Sequence, residues 1–235
     1  MALSPIGWLN GITASGVFFF SIIFGLFAVY KARKAHLNLL LYLGLVYCFA
    51  GLIYTGDFLD FLTVLTTETN IDNKLIIGLI NWMWFPGVVI FAMYFGAELI
   101  IPKKKWYIFT IYLLLSIVFE LFLFMNPSGS VVYDYPPAPG EDLINDNLVF
   151  ESIAGILVLI FLLSLLTFDG IGFLRKGIQS TGVIRRKFIL LSLGAFVYII
   201  GGILDGLFSP GISLIFIRSA MAISAFLFYF GVKKE

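Results

Sequence analysis

The chain has 235 residues, 60% hydrophobic and 12% charged, with a formal net charge of +1 and a mean hydropathy of +1.03. A soluble domain is about half apolar and about a quarter charged, so this composition excludes one and points to a membrane domain. The small net charge and the short basic clusters beside apolar runs give no case for nucleic acid.

Seven apolar runs fall at 8–30, 37–59, 75–101, 106–125, 149–174, 188–208 and 212–232. Runs of about 20 residues cross a hydrocarbon core of about 30 Å as helices, whose backbone groups are satisfied within each span. The expected fold is therefore all-α: one integral membrane domain over 1–235 with seven transmembrane helices. No basic segment precedes the first run, which reads as a mature helix rather than a cleaved signal peptide. Trp8, Tyr30, Trp106, Tyr107 and Tyr229 sit near span ends, where amphipathic rings favour the headgroup region.

Lys31-Ala32-Arg33-Lys34, Lys103-Lys104-Lys105, Arg175-Lys176, Arg185-Arg186-Lys187 and Lys233-Lys234 hold 13 of the 15 lysine and arginine residues, all in alternate connections. The other connections carry Asp57, Asp60, Glu68, Asp72, Asp134, Glu141, Asp142 and Asp146 against Lys74 alone. Basic loops stay in the cytoplasm during insertion, so the expected topology is N-terminus outside and C-terminus inside, in a cell membrane.

Along the chain, Gly7-x3-Gly11-x3-Ser15 and Ser21-x3-Gly25 on the first span are small-residue faces suited to close helix contact, within the chain or in a homo-oligomer. Tyr47, Gly51 and Tyr54 share a face of the second span. In the third, Asn81-Trp82-Met83-Trp84-Phe85-Pro86-Gly87 predicts a kink at Pro86 beside a cavity, with Asn81 and Trp84 facing a ligand or packing on neighbours. The longest loop, 126–147, contains Tyr133-Asp134-Tyr135-Pro136-Pro137-Ala138-Pro139-Gly140 and predicts an extended path with little regular structure. Phe208-Ser209-Pro210-Gly211 makes spans six and seven antiparallel neighbours. Span six repeats elements of span two at a constant offset: Leu190-Leu191-Ser192-Leu193-Gly194, Gly201 and Gly206 against Leu40-Leu41-Tyr42-Leu43-Gly44, Gly51 and Gly56. A 3+1+3 parallel repeat is one reading, and chance reuse of Leu and Gly is the other.

Charge inside hydrocarbon is costly, so intramembrane ions are candidate functional groups. Arg218 lies eight residues past Pro210, about 12 Å down a helix at 1.5 Å per residue, and needs an acid or a wet cavity. Asp205 on the adjoining span is the nearest acid, and Gly194, Tyr198, Gly201 and Asp205 recur along one face. The pair either pins two helices or faces a ligand. Glu120 is a deeper outlier on span four and a second candidate partner for Arg218, while Asp57 and Glu151 read as span-end residues. Glu98 and Asp169 lie near the basic boundary, where local pairing with the Lys103 cluster and Arg175 is expected.

His36 is the single histidine and Cys48 the single cysteine, so neither an intramembrane zinc set nor an internal disulfide is expected. There is no Ser/His dyad and no phosphate-cradling glycine loop. Span seven has no lysine before Lys233 for a retinal Schiff base. No enzymatic activity and no cofactor are expected.

The outline is similar to rhodopsins, without the retinal lysine. Trp84-Phe85-Pro86-Gly87 followed by Phe91-Ala92-Met93-Tyr94-Phe95-Gly96 resembles the seven-helix sensor domains at the N-terminus of microbial histidine kinases, as do the helix count, the basic loop after span three and the long fourth loop. No kinase follows before Glu235, so the resemblance implies sensing in the membrane with output through a separate cytoplasmic partner. The expected function is a receptor-like sensor binding a small molecule or lipid in an outward cavity between spans 2, 3, 6 and 7. Its contacts would come from Arg218, Asp205, Asn81, Trp84, Tyr198 and Glu120. The alternatives are a small transporter or channel and a non-catalytic assembly subunit. An acidic vestibule suits an amine, and Arg218 suits a carboxylate or a lipid phosphate.

Overall fold

Six helical segments of the computed structural model are long and apolar enough to cross a membrane: 5–35, 75–100, 102–125, 153–179, 182–207 and 212–232. A pair bent by 40°, 38–52 and 55–67, brings the number to seven if the two parts are counted as one span. The structure describes residues 3–233, with the backbone alone at Lys74. Lys234 and Glu235 lie outside the described residues, and with them half of the closing basic pair.

Helix α1 (Pro5–Ala35) starts on Ser4, whose hydroxyl accepts the Gly7 amide at 3.0 Å. It ends on His36 in the left-handed region. Helix α2 (Asn38–Leu52) returns against it backbone to backbone. A Cβ on Gly44 would lie 2.7 Å from the Gly25 carbonyl oxygen, and one on Gly11 would strike the Phe61 ring. Gly7, Gly11, Ser21 and Gly25 are thereby buried inside the chain.

The run expected as the second span is not one straight helix. It breaks at Ile53–Tyr54, bends by 40° and continues as α3 (Thr55–Thr67). Thr55 Oγ1 donates to the Leu52 carbonyl at 2.6 Å and satisfies a group the break releases. The matching stretch of span six runs unbroken in α10 (Gly182–Leu207). The third span also has two parts, α4 (Lys74–Trp82) and α5 (Phe85–Ile100), with Pro86 in the first turn of α5, where its missing N–H costs least. Helix α6 (Lys105–Met125) follows a short 3-10 turn.

The long loop is more ordered than its prolines suggest. After the single-turn helix α7 (Pro127–Ser130), β1 (Val131–Asp134) pairs antiparallel with β2 (Asn145–Leu148), and Val131 faces Leu148 with both buried. The prolines occupy the connection between the strands. Asp60, expected as a loop acid, is fully buried on α3 and fastens this segment. It accepts Asn70 Nδ2 at 2.9 Å, the Ile71 amide at 3.0 Å and the Ile144 amide at 2.9 Å.

The fifth span begins at Ser152, whose hydroxyl caps α8 (Ile153–Leu165) by accepting the Gly155 amide. It then passes through a π-turn at Leu166–Ile171 into α9 (Gly172–Gln179). Thr167 Oγ1 donates to the Leu163 carbonyl, and Ser192 Oγ on α10 donates to the Gly170 carbonyl, both at 2.8 Å. The expected basic loop 175–187 is almost all helix, because α9 and α10 extend through it and leave Ser180 and Thr181 as the connection. Helix α11 (Ile212–Val232) packs along α10. Lys187 Nζ donates to the Lys233 carbonyl, joining the two helices at the end of the bundle that carries the basic clusters. Asp57, Asp60, Asp142, Asp146 and Asp205 lie toward the opposite, acidic end.

Candidate functional site

A cavity of about 210 Å³ runs between the spans from the acidic end. A water needs roughly 10–15 Å³ of such space, so this one holds on the order of a dozen waters or a small organic molecule. Three side-chain sets build it, and each is held by a different part of the chain.

The first set centres on Arg218, 6% exposed on α11. Its Nε donates to Asp205 Oδ1 on α10 at 2.9 Å. Its Nη1 reaches α1, donating to the Asn10 carbonyl (3.1 Å), Asn10 Oδ1 (2.9 Å) and Thr13 Oγ1 (2.7 Å). Tyr54, at the break between α2 and α3, donates its hydroxyl to Asp205 Oδ2 at 2.6 Å and lays its ring 5.4 Å from the guanidinium carbon. One arginine thus ties four segments. Asp205 balances its charge, and the protein engages Nε and Nη1 but not Nη2.

The second set centres on Asn81 of α4. Its Oδ1 accepts the Gly56 amide at 2.6 Å. Its Nδ2 donates to Asp57 Oδ1 at 3.2 Å and to Asp146 Oδ1 at 2.9 Å. Trp82 Nε1 donates to Asp146 Oδ2 at 2.8 Å. Two carboxyl groups thus share one amide, and every hydrogen bond they receive comes from a neutral donor. Burial pushes the Asp146 carboxyl above the usual carboxylate range, while the Asn81 and Trp82 hydrogen bonds pull the other way.

The third set lines the deeper part. Tyr198 and Tyr47 face the cavity among Val88, Ala92 and Val158, and Tyr47 Oη pairs with Ser224 Oγ at 2.9 Å. Asp169, in the π-turn of span five, lines the far end.

Of the residues singled out in the sequence, Arg218, Asp205, Asn81 and Tyr198 line this one cavity. Trp84 does not. The helix break at Met83–Trp84 turns it outward against Phe49, with its indole N–H buried and unpartnered, and Trp82 faces inward instead. Glu120 is remote from Arg218, because α6 is the outlying helix. It borders a separate apolar groove with Pro86, Ile90 and Ser116. Glu98 pairs with Lys105 at 2.6 Å, whereas Asp169 has no cation within ion-pair distance among the described residues. Glu151 is exposed. Asn10 and Thr13 went unread, although their spacing of three places them on one helical face. Among the described residues, no three His, Cys, Asp or Glu side chains gather to hold a metal.

No family model, curated protein or solved structure matches the chain.

Proposed function

We propose that the protein is a receptor-like membrane sensor whose ligand is a small molecule carrying a protonated amine. In this reading the chain has seven spans, with α2–α3 and α4–α5 each one broken span. The acidic end faces outside, since basic connections are retained in the cytoplasm. The carrying observation is the charge balance at the cavity mouth. Arg218 is matched by Asp205, while Asp57 and Asp146 meet only neutral donors. Three carboxyl groups, Asp57, Asp146 and Asp205, thus share one guanidinium, an excess that favours an incoming cation, and the Tyr198 and Trp82 rings supply faces on which an ammonium group rests. A carboxylate or phosphate would find only Nη2 of Arg218 free, because Nε and Nη1 are engaged, and so could not take the two-nitrogen fork that makes arginine a strong anion site. Output would pass through the basic ends of α9, α10 and α11 to a cytoplasmic partner or to anionic headgroups.

The test is thermal unfolding of the detergent-purified protein with alkylammonium and tetramethylammonium salts, set against matching carboxylates. Ligand that binds the folded state raises Tm by mass action. Ammonium ions should raise it, and Asp146→Asn should abolish the rise. A rise with carboxylates alone overturns the proposal.

A transporter is the second reading. It is favoured by the depth of the cavity, which extends to Asp169 in the basic half. Uptake of a labelled ammonium compound into proteoliposomes separates the two, since a sensor gives binding without flux.

A further inference from the structure

Asp169 sits where a carboxyl group is hardest to keep. It is 5% exposed and lies in span five, about sixteen residues beyond the start of α8, or about 24 Å along at 1.5 Å per residue. Its Oδ1 is buried with no hydrogen-bond partner. The same oxygen presses on α5 so closely that a Cβ on Gly96 would fall 1.8 Å away. The chain adopts a π-turn here, and single π-turns within α-helices gather at functional sites.

The charged and titratable groups on the surrounding elements leave it alone. On α5, Glu98 is engaged by Lys105. On α9, Arg175 and Lys176 lie six and seven residues further on, toward the basic end. On α10, Arg185, Arg186 and Lys187 are at that same end, Ser192 is committed to the Gly170 carbonyl, and Tyr198 lines the cavity on the acidic side. Phe196 of α10 and Ile100 of α5 cover the neighbouring glycines. Helix α8 offers only apolar side chains, such as Leu162 and Leu165, to the cavity. An isolated carboxylate in such a place is prohibitive, whereas a carboxylic acid is not. The cavity leads to it from the acidic end, since Asp57, Asp146 and Asp205 line the same space as Asp169, and its volume of about 210 Å³ holds several waters.

We propose that Asp169 is a proton-binding site, loaded from the acidic end through the cavity. Hydronium in the cavity gives its proton to the carboxylate and leaves water, and release returns the proton to water. The site gives the molecule one titrating group deep in the bundle that is separate from the mouth. The inference rests on the cavity described above and not on which ligand fills its mouth.

Carbodiimides add to protonated carboxyl groups, so labelling followed by peptide mass mapping reads the site directly. Dicyclohexylcarbodiimide, which is membrane-soluble, should label Asp169 in the wild type, with the rate falling as pH rises and the acid ionises. Asp169→Glu should retain the adduct in that peptide and Asp169→Asn should lose it. Gly202 lines the cavity, and a Cβ there meets nothing within 4 Å. Gly202→Leu should therefore narrow the route and slow labelling by a water-soluble carbodiimide at least several-fold. Absence of an Asp169 adduct while Glu120 is labelled in the same sample overturns the proposal, as does a rate independent of pH. A water-soluble reagent that labels wild type and Gly202→Leu equally overturns the route. None of these readouts depends on ammonium binding, so the amine reading and this one fail separately.

Discussion

Asp205 Oδ1 accepts Arg218 Nε at 2.9 Å across the α10–α11 hairpin, and Asp205 Oδ2 accepts the Tyr54 hydroxyl from the break in the second span. One carboxylate therefore fixes the last two helices to the bend of an earlier one. Both partners of the ion pair are almost buried, with side-chain exposures of 7% and 13%.

Removing one member strands the other. Arg218→Ala leaves Asp205 desolvated and unpaired, which costs about 3–5 kcal/mol for a buried pair. A large fall in Tm in detergent is the expected result. Arg218→Gln combined with Asp205→Asn removes both charges and keeps hydrogen-bonding capacity, so it should recover much of the loss. A double variant no better than Arg218→Ala would show that the charges themselves are not what matters there.

Asp60→Ala withdraws one acceptor from three donors, two of them backbone amides. Hydrogen bonds to charged groups are worth about 1.5–3 kcal/mol, and the segment they hold is the β1–β2 hairpin. Amide exchange should quicken across residues 131–148 well before the spans loosen. Uniform exchange in variant and wild type would remove Asp60 from this role.

Asp146 gives a pH signature. Its folded carboxyl titrates above the ordinary unfolded value of about 3.9 because of burial. The folded state therefore holds the proton more tightly. The group's stabilising contribution is full below about pH 3.9 and is lost as pH rises through the raised value. Wild-type Tm relative to Asp146→Asn should thus decline from acid toward neutral pH, and a saturating ammonium ligand should flatten that decline. An opposite slope would mean that the carboxylate is the favoured form.

Gly96→Ala places a methyl group on Asp169 Oδ1. Overpacking of this kind costs about 1–3 kcal/mol, against up to about 1 kcal/mol gained in helix propensity. A net drop in Tm is expected, with the π-turn displaced. The same substitution at Gly16 of α1, where an added Cβ meets nothing within 4 Å, should leave Tm unchanged or raise it.

The apolar runs were legible because backbone in hydrocarbon has few options, and run length alone marks a span. The Arg218–Asp205 pair was legible for a related reason: a buried guanidinium demands an acid, and the hairpin brought one close. What could not be read was decided by tertiary partners. Nothing local to Ile53–Tyr54 announces the bend, which rests on Asn81 gripping the Gly56 amide and on Tyr54 reaching Asp205. The break at Met83–Trp84 exchanges which tryptophan faces inward, so a continuous helical pattern selects the wrong one. Asp169 stands six residues before Arg175 and looked locally paired, but the π-turn changes the register and leaves it facing the cavity.

Helix α10 runs for 26 residues without interruption, which is about 39 Å at 1.5 Å per residue. Asp205 and Arg185 stand near its opposite tips, about 30 Å apart on that rise. A tilt of about 5° around its middle swings each of these residues by roughly 1.3 Å, in opposite directions, a shift comparable to those of helices at allosteric interfaces. Displacement at the acidic tip thus arrives at the basic tip through the stiffness of one rod, with no side chain in between required to change its rotamer.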